Sequence, residues 1–227
     1  VDIAEAYRKR VRVVPLTIRF GDQELTDGVT VTRQKFYEML IESDALPTTS
    51  QPTPAAFAAE YEALRGEEAI VISISARLSG TYQSACIAAQ DYPNVRVIDS
   101  GSASIGAGIL AEYAIDCAEA GMPAEQIEAL VEKKRADVCV IALLDTLEYL
   151  KRGGRISKTV AAAGALLNIK PVITIEDGAI ALIGKARGSK QGNNLLVKKI
   201  QESGGVDFSL PVLLGYTGVT DVLLKKY

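Results

Sequence analysis

Short apolar runs alternate with longer amphipathic segments through the first half of this 227-residue chain. Runs rich in Val, Ile and Leu predict buried strands. The four that stand out are residues 11–20, 69–74, 95–98 and 138–143. Segments with the period of a helix separate these runs, which is typical of helices packed on a parallel sheet. The pattern predicts an α/β fold whose N-terminal part has a mainly parallel sheet with helices on both faces.

The helical segments have clear start and stop signals. They cover residues 34–41, 55–64, 79–89, 105–120 and 124–134. Thr32 and Thr53 stand where an N-cap is expected for the first two, and Pro54 suits the first position of the second helix. Gly121 and Pro123 mark the end of the fourth.

The pattern changes at the basic turn Lys151-Arg152-Gly153-Gly154-Arg155, which we interpret as a linker. We expect an N-terminal α/β domain over residues 1–150 and a C-terminal α/β domain over residues 151–227. The predicted elements beyond the turn are a helix to residue 167, strands at 171–175 and 179–183, a helix at 193–202 and a strand at 211–216. Asp177-Gly178 is a hairpin signal, so we expect a mixed or antiparallel sheet in the second domain.

Charge and hydropathy narrow the range of functions. The 25 basic and 28 acidic side chains are spread along the sequence and leave a net charge of −3, so no basic patch for nucleic acid is predicted. No apolar run approaches the roughly 20 residues of a membrane-spanning helix. The charged residues 1–10 do not resemble a signal peptide. We therefore expect a cytoplasmic protein without a membrane span or a nucleic-acid partner.

Metal and cofactor chemistry has little support in the sequence. Cys86, Cys117 and Cys139 are far apart, and there is no histidine. A disulfide framework, a thiolate metal site and a histidine-based triad are therefore not predicted. The glycines of segments 101–108 and 178–185 match neither the dinucleotide fingerprint nor the phosphate loop, and no Gly-x-Ser-x-Gly elbow occurs. We predict no metal and no cofactor.

Two hydroxyl-rich turns are the candidates for a binding site. The first is Thr48-Thr49-Ser50-Gln51-Pro52-Thr53, and the second is Ser79-Gly80-Thr81 after the strand at 69–74. Ligands collect at the carboxyl ends of parallel strands, and an anion needs several hydrogen-bond donors. Ser and Thr are also common helix N-caps. From the residues alone, both interpretations stay open.

The same turns belong to a set of motifs that resembles the DegV family. The motifs are Thr49-Ser50-Gln51-Pro52, Leu78-Ser79-Gly80-Thr81-Tyr82-Gln83-Ser84 and the Tyr-Leu-x-x-Gly-Gly-Arg-Ile sequence of residues 149–156, supported by Val13-Val14-Pro15-Leu16, Val97-Ile98-Asp99-Ser100 and Leu167-Asn168-Ile169-Lys170-Pro171. They occur in the family's order and span nearly the whole chain. The resemblance implies a two-domain α/β fold that encloses one long-chain fatty acid between its domains.

The resemblance also implies which residues bind the fatty acid. Thr49 and Ser79 match the family's carboxylate-binding positions, with Ser50 beside them and Gly80 offering its backbone amide. A carboxylate prefers several charge-assisted hydrogen bonds near a helix N-terminus, and an acyl chain prefers an apolar slot. The residues that line this slot cannot be assigned from the sequence.

A partner is implied as well. Members of the family present a bound fatty acid to a separate fatty acid kinase, which makes an acyl phosphate for phospholipid synthesis. The resemblance thus predicts a carrier and not an enzyme, with the fatty acid as its ligand. Arg152 and Arg155 are expected at the pocket rim or in contact with the partner.

Two family features are not matched. Members usually begin with a strand that ends in Thr-Asp-Ser and end with a His- and Gly-rich stretch near the ligand head group. Neither occurs within residues 1–227. We therefore expect the C-terminal domain, and with it the binding site, to be incomplete in this stretch of sequence.

Two alternatives to a carrier stay open. One is an enzyme, a kinase or transferase, acting on a small hydroxylated or phosphorylated substrate, which the missing nucleotide and base motifs disfavour. The other is a structural or regulatory binding module, in which the hydroxyl clusters are only helix caps. Ligand content and the effect of Thr49 and Ser79 substitutions distinguish them.

Overall fold

The computed structural model describes residues 2–43, 46–157, 168–208, 210–222 and 224–226. The strands are β1 (Thr17–Phe20), β2 (Gln23–Thr26), β3 (Thr48–Ser50), β4 (Ala69–Ser73), β5 (Val95–Asp99), β6 (Ile141–Leu143), β7 (Ile169–Glu176) and β8 (Ala179–Arg187). The α-helices are α1 (Arg33–Glu42), α2 (Pro54–Ala63), α3 (Thr81–Ala89), α4 (Ile105–Glu119), α5 (Ala124–Lys134), α6 (Glu148–Arg152) and α7 (Gly188–Glu202). Short 3-10 helices cover Glu5–Arg10, Arg135–Asp137 and Leu224–Lys226.

The strands form three small sheets. β4 and β5 pair in parallel, with Ile72 opposite Ile98. β1 pairs antiparallel with β2 on one side and β3 on the other, in the order β2-β1-β3. β6, β7 and β8 form an antiparallel sheet in that order. The α/β fold class is thereby confirmed.

Helices cover both faces of the β4–β5 pair, as the sequence pattern predicts. Two clusters of buried side chains lie between strands and helices. One joins β5 to α4 and α5 through Ile98, Leu110, Ala114, Cys117, Ile127 and Val131, and the other joins β5 to α2 and α3 through Phe57, Tyr61, Ala85, Ala88 and Val95. Burial of the Val, Ile, Leu and Phe side chains among them contributes about 1.5–3 kcal/mol each, so these clusters hold the loops at the strand ends in place.

The helix starts follow their predicted caps. The Thr32 side chain accepts a hydrogen bond from the Lys35 amide, and Thr53 accepts one from the Ala56 amide. Pro54 is the first residue of α2. The bounds of α5 agree with the predicted helix at 124–134.

The strand pairing differs from the prediction in two places. Among the strands of the described residues, only β4 and β5 pair in parallel, because β1 lies in the β2-β1-β3 sheet and β6 pairs antiparallel with β7. The mainly parallel N-terminal sheet is therefore smaller than expected. An apolar run shows that a strand is buried but not which strand it pairs with. Because the β6-β7-β8 sheet begins at Ile141, it crosses the domain boundary at 150, and that boundary stays a prediction.

In the C-terminal part, one predicted feature is confirmed and another is wrong. The Asp177-Gly178 hairpin turn is confirmed, and both residues have positive φ angles, 48° and 76°. The predicted strand at 211–216 is wrong, because these residues, all within the described part, form no strand. An extended segment becomes a strand only beside a partner. Most of the helix predicted to end at 167 falls at 158–167, outside the described residues.

Candidate functional site

A cavity of about 470 Å³ lies where β3, the end of β4 and the β7–β8 hairpin meet. This volume is in the range of small-molecule sites. Ten described residues line it: Leu16, Thr49, Ser50, Gln51, Ile74, Leu78, Ser79, Ala103, Arg155 and Ile180. Half of these are apolar and half carry polar groups, so the cavity suits a ligand with both characters.

Thr49 and Ser50 line the cavity from strand β3. In the pairing with β1, Thr49 lies opposite Ile18 and Ser50 opposite Thr17. The alternative interpretation of this cluster was a helix cap. Thr53 is the residue that caps α2, whereas Thr49 and Ser50 are strand residues. The cap interpretation therefore applies to Thr53 alone.

Ser79 reaches the same cavity from the turn between β4 and α3. The Ser75 carbonyl accepts hydrogen bonds from the amides of Leu78, at 2.9 Å, and Ser79, at 3.1 Å, so the turn is tightly closed. Ser79 Oγ lies 2.8 Å from Thr81 Oγ1 and accepts from the Thr81 amide at 3.3 Å. The Ser79 hydroxyl thus accepts from the first amide of α3, as a cap residue would, and Ser79 also lines the cavity.

Gln51 joins the two hydroxyl turns, although it was not among the predicted binding residues. Its Nε2 donates to Ser84 Oγ on α3 at 2.9 Å. Its side chain also lies against Gly80, where a Cβ would stand 2.1 Å from Gln51 Oε1. A side chain at position 80 would therefore have to displace the Gln51 side chain from its present place. The signal that could have identified Gln51 is its position inside the Thr49 to Pro52 motif.

The two predicted rim arginines have different surroundings. Arg155 lines the cavity, donates to the Leu78 carbonyl through Nε at 3.2 Å and also contacts the Gly153 carbonyl. Arg152 is not among the described lining residues and binds Glu148 at 2.6 Å. That hydrogen bond lowers the pKa of the Glu148 carboxyl. The positive charge beside the hydroxyls is therefore that of Arg155.

The apolar half of the cavity comes from five separate segments of the chain. Leu16 precedes β1, Ile74 follows β4, Leu78 stands in the next turn, Ala103 precedes α4 and Ile180 lies on β8. Two loops on this side are connected by Asp99, whose Oδ1 accepts from the Gly101 amide at 2.9 Å and the Ala76 amide at 3.2 Å. Leu16 and Leu78 stand in motifs already quoted, whereas Ile74, Ala103 and Ile180 stand in none, so the sequence alone did not identify the five as one surface.

The donor groups favour an anion over a metal. Within the described ranges, no group of three or more Cys, Asp, Glu or His side chains is placed to hold a metal ion. Hydroxyls and a guanidinium are donors, which suit a carboxylate. Among the same residues, no helix has the length and apolar character needed to cross a membrane.

Comparison with known proteins gives the family. A family model described as "Uncharacterised protein, DegV family" matches residues 1–223, nearly the whole chain. The chain belongs to the DegV family. A DegV domain-containing protein of Caldanaerobacter subterraneus is 37% identical over 201 residues, which cover 87% of this chain and 71% of that protein.

Solved DegV structures have the same fold. A fatty-acid-binding DegV family protein of Thermus thermophilus is 38% identical, with a TM-score of 0.80, over 89% of this chain and 74% of its own. The fatty acid kinase (Fak) B3 protein of Streptococcus pneumoniae, loaded with linoleic acid, is 27% identical, with a TM-score of 0.73, over 84% of this chain and 70% of its own. Fatty acid binding is thus a property of the first of these two proteins, and the second holds linoleic acid.

Proposed function

We propose that this DegV chain binds one long-chain fatty acid in the cavity between β3, the β4–α3 turn and β8. The observation that carries the proposal is that Thr49 and Ser79, which are 30 positions apart in sequence, line the same cavity as five apolar side chains. The lining offers hydrogen-bond donors as well as apolar surface, which matches a molecule with an acidic head and a hydrocarbon tail.

The carboxylate is the part of the ligand that fixes its orientation. Thr49 and Ser79 donate their hydroxyl hydrogens to it in our proposal, with Ser50 and the Gly80 amide beside them. Arg155 at the rim adds a positive charge. A hydrogen bond to a charged group contributes about 1.5–3 kcal/mol, so the pair of hydroxyls accounts for a large part of head-group affinity.

The acyl chain lies along the apolar side chains in this proposal. Burial of a methylene group contributes about 0.8 kcal/mol. A long chain therefore gains much more from the cavity than a short one does. The proposal thus requires a long-chain acid, and acetate or butyrate should bind poorly.

Three of the polar lining residues, Thr49, Ser50 and Arg155, are exposed, so a head group bound to them can be reached from the surface. This supports a carrier that presents the carboxylate to a separate cytoplasmic kinase, with Arg155 and the neighbouring Arg152 as contacts. The similarity to the fatty acid kinase B3 protein also supports it. Acyl phosphate formation by such a kinase with ATP should require this chain, and equal yields without it would contradict the step.

Mass spectrometry of lipid extracted from purified protein tests fatty acid binding. We expect about one fatty acid per wild-type chain and a loss of at least about tenfold in the Thr49→Ala/Ser79→Ala variant, since each lost charged hydrogen bond costs about 1.5–3 kcal/mol. Thr48→Ala is the matched control, because Thr48 is the neighbouring hydroxyl on β3 but does not line the cavity. Wild-type protein without fatty acid, or equal content in all three proteins, would rule out the proposal.

A further inference from the structure

Ser75 follows β4 and has no exposed surface. All of its polar groups form hydrogen bonds. Its amide donates to the Ser102 carbonyl at 2.8 Å, and its carbonyl accepts from the Leu78 and Ser79 amides. Its Oγ donates to the Gly178 carbonyl at 2.7 Å and accepts from the Arg77 amide at 3.2 Å. A fully buried serine with this many partners fixes the relative positions of several segments.

These partners stand next to residues that line the cavity. Ser102 precedes Ala103, the Leu78 and Ser79 amides belong to the β4–α3 turn, and Gly178 is two residues from Ile180. The backbone groups of Ser75 hold the first two walls. Only its hydroxyl reaches the third wall, the β7–β8 hairpin.

The hairpin approaches Ser75 closely. Gly178 has a φ of +76°, and a Cβ on it would lie 2.5 Å from Ser75 Oγ. A second bond supports the contact, because Arg77 Nη1 donates to the Asp177 carbonyl at 2.9 Å. The tip of the hairpin is thus held by two side chains from a segment about 100 positions earlier in the chain.

We propose that Ser75 is a positioning residue that holds the β7–β8 hairpin as a closing wall of the cavity and thereby slows the release of bound fatty acid. The inference rests on the proposed function. Without the hydroxyl, the buried Gly178 carbonyl loses its partner, which favours movement of the hairpin away from β4. Ile180 moves with the hairpin, and the apolar side of the cavity opens. Because the head-group donors Thr49 and Ser79 stay in place, the rate of association changes little.

Stopped-flow release of cis-parinaric acid, a fluorescent long-chain fatty acid, tests the inference. Ser75→Ala should release the probe about tenfold faster than wild type, since an unsatisfied buried carbonyl costs on the order of 1.4 kcal/mol. The association rate should stay within about twofold. Ser73→Ala is the matched control. Ser73 is a buried serine of β4, and among the residues that the structure describes its hydroxyl bonds only to the adjacent Ile74 carbonyl, at 3.1 Å.

Two further measurements distinguish a local effect on the hairpin from a general folding defect in Ser75→Ala. Arg77→Gln removes the second hairpin bond from an exposed position and should speed release about threefold. Amide hydrogen exchange of residues 176–180 should be faster in Ser75→Ala than in Ser73→Ala. Release and exchange rates equal to those of the control would overturn the role of Ser75. Failure of wild-type protein to bind the probe would instead contradict the proposed function itself.

Discussion

Gly80 of the second hydroxyl turn lies against the side chain of Gln51 from the first. A Cβ at Gly80 would lie 2.1 Å from Gln51 Oε1, so Gly80→Ala must displace the Gln51 side chain and break its bond to Ser84. We expect a cost of about 1 kcal/mol in unfolding free energy, because the hydrogen bond between Gln51 and Ser84 is lost. In a Gln51→Ala background the same substitution should cost about 1 kcal/mol less. Chemical denaturation of the wild type, the two single variants and the double variant measures these unfolding free energies. Additive losses would contradict the contact.

Tyr61 couples the stability of the core to alkaline pH. It is 2% exposed and donates to the Ala85 carbonyl at 3.3 Å. Burial, with a smaller contribution from Cys86, raises the pKa of Tyr61 well above its ordinary value of 10.0. Near pH 10 and above, the unfolded chain loses the tyrosine proton while the folded chain keeps it, so the free energy of unfolding falls as pH rises.

The Tyr61→Phe variant distinguishes the effect of Tyr61 deprotonation from that of the other tyrosines. At neutral pH the free energy of unfolding of this variant should be about 1 kcal/mol lower than that of wild type, because the Ala85 carbonyl loses its partner. Between about pH 8 and 11, a range that spans the ordinary tyrosine pKa, its melting temperature should fall less than that of wild type. Parallel curves for the two proteins would show that Tyr61 does not cause the alkaline loss.

At the scale of elements, helix capping and ligand binding belong to different threonines. Thr53 caps α2 and does not line the cavity, whereas Thr49 lines the cavity from β3. Thr53→Ala should lower the free energy of unfolding by about 1 kcal/mol without loss of bound fatty acid. Thr49→Ala should lose fatty acid with a smaller effect on the stability of the ligand-free protein. Calorimetry of ligand-free protein and lipid content distinguish them, and a reversed pattern would contradict the assignment.

The helices could be predicted because their signals are local. Thr53 and Pro54 mark the start of α2 within two residues, and α5 agrees with its predicted range. Strand pairing is not local. The apolar run that contains β6 looks like a parallel strand, yet β6 pairs antiparallel with β7. Residues 211–216 are mostly apolar, as in a buried strand, but form none.

The cavity shows the same difference between residues with local sequence signals and residues brought together by the fold. Thr49, Ser50 and Ser79 could be named because each stands in a short motif, and the structure places all three on one cavity. Their role as carboxylate donors stays a prediction. The five apolar residues come together only through tertiary packing, so the sequence could not show that they share one surface, although Leu16 and Leu78 stand in quoted motifs. Arg155 and Arg152 could not be distinguished from the sequence either, because their different contacts exist only in the folded chain.

At the scale of the whole molecule, the cavity depends on the contact of all three sheets. β3 belongs to the first, Ile74 follows a strand of the second, and Ile180 lies in the third. Because the walls come from separate sheets, a ligand that touches all of them stabilises their assembly. Bound fatty acid should therefore raise the melting temperature of the whole chain, by mass action.

A crystal structure of the chain with a bound long-chain fatty acid tests the binding site most directly. We predict one carboxylate oxygen about 2.5–3.0 Å from Thr49 Oγ1 and Ser79 Oγ, as in O–H···O hydrogen bonds, with the hydrocarbon tail against Leu16 and Ile180. A fatty acid bound elsewhere on the chain, or one whose head group lies away from both hydroxyls, would contradict the binding mode proposed for this DegV protein.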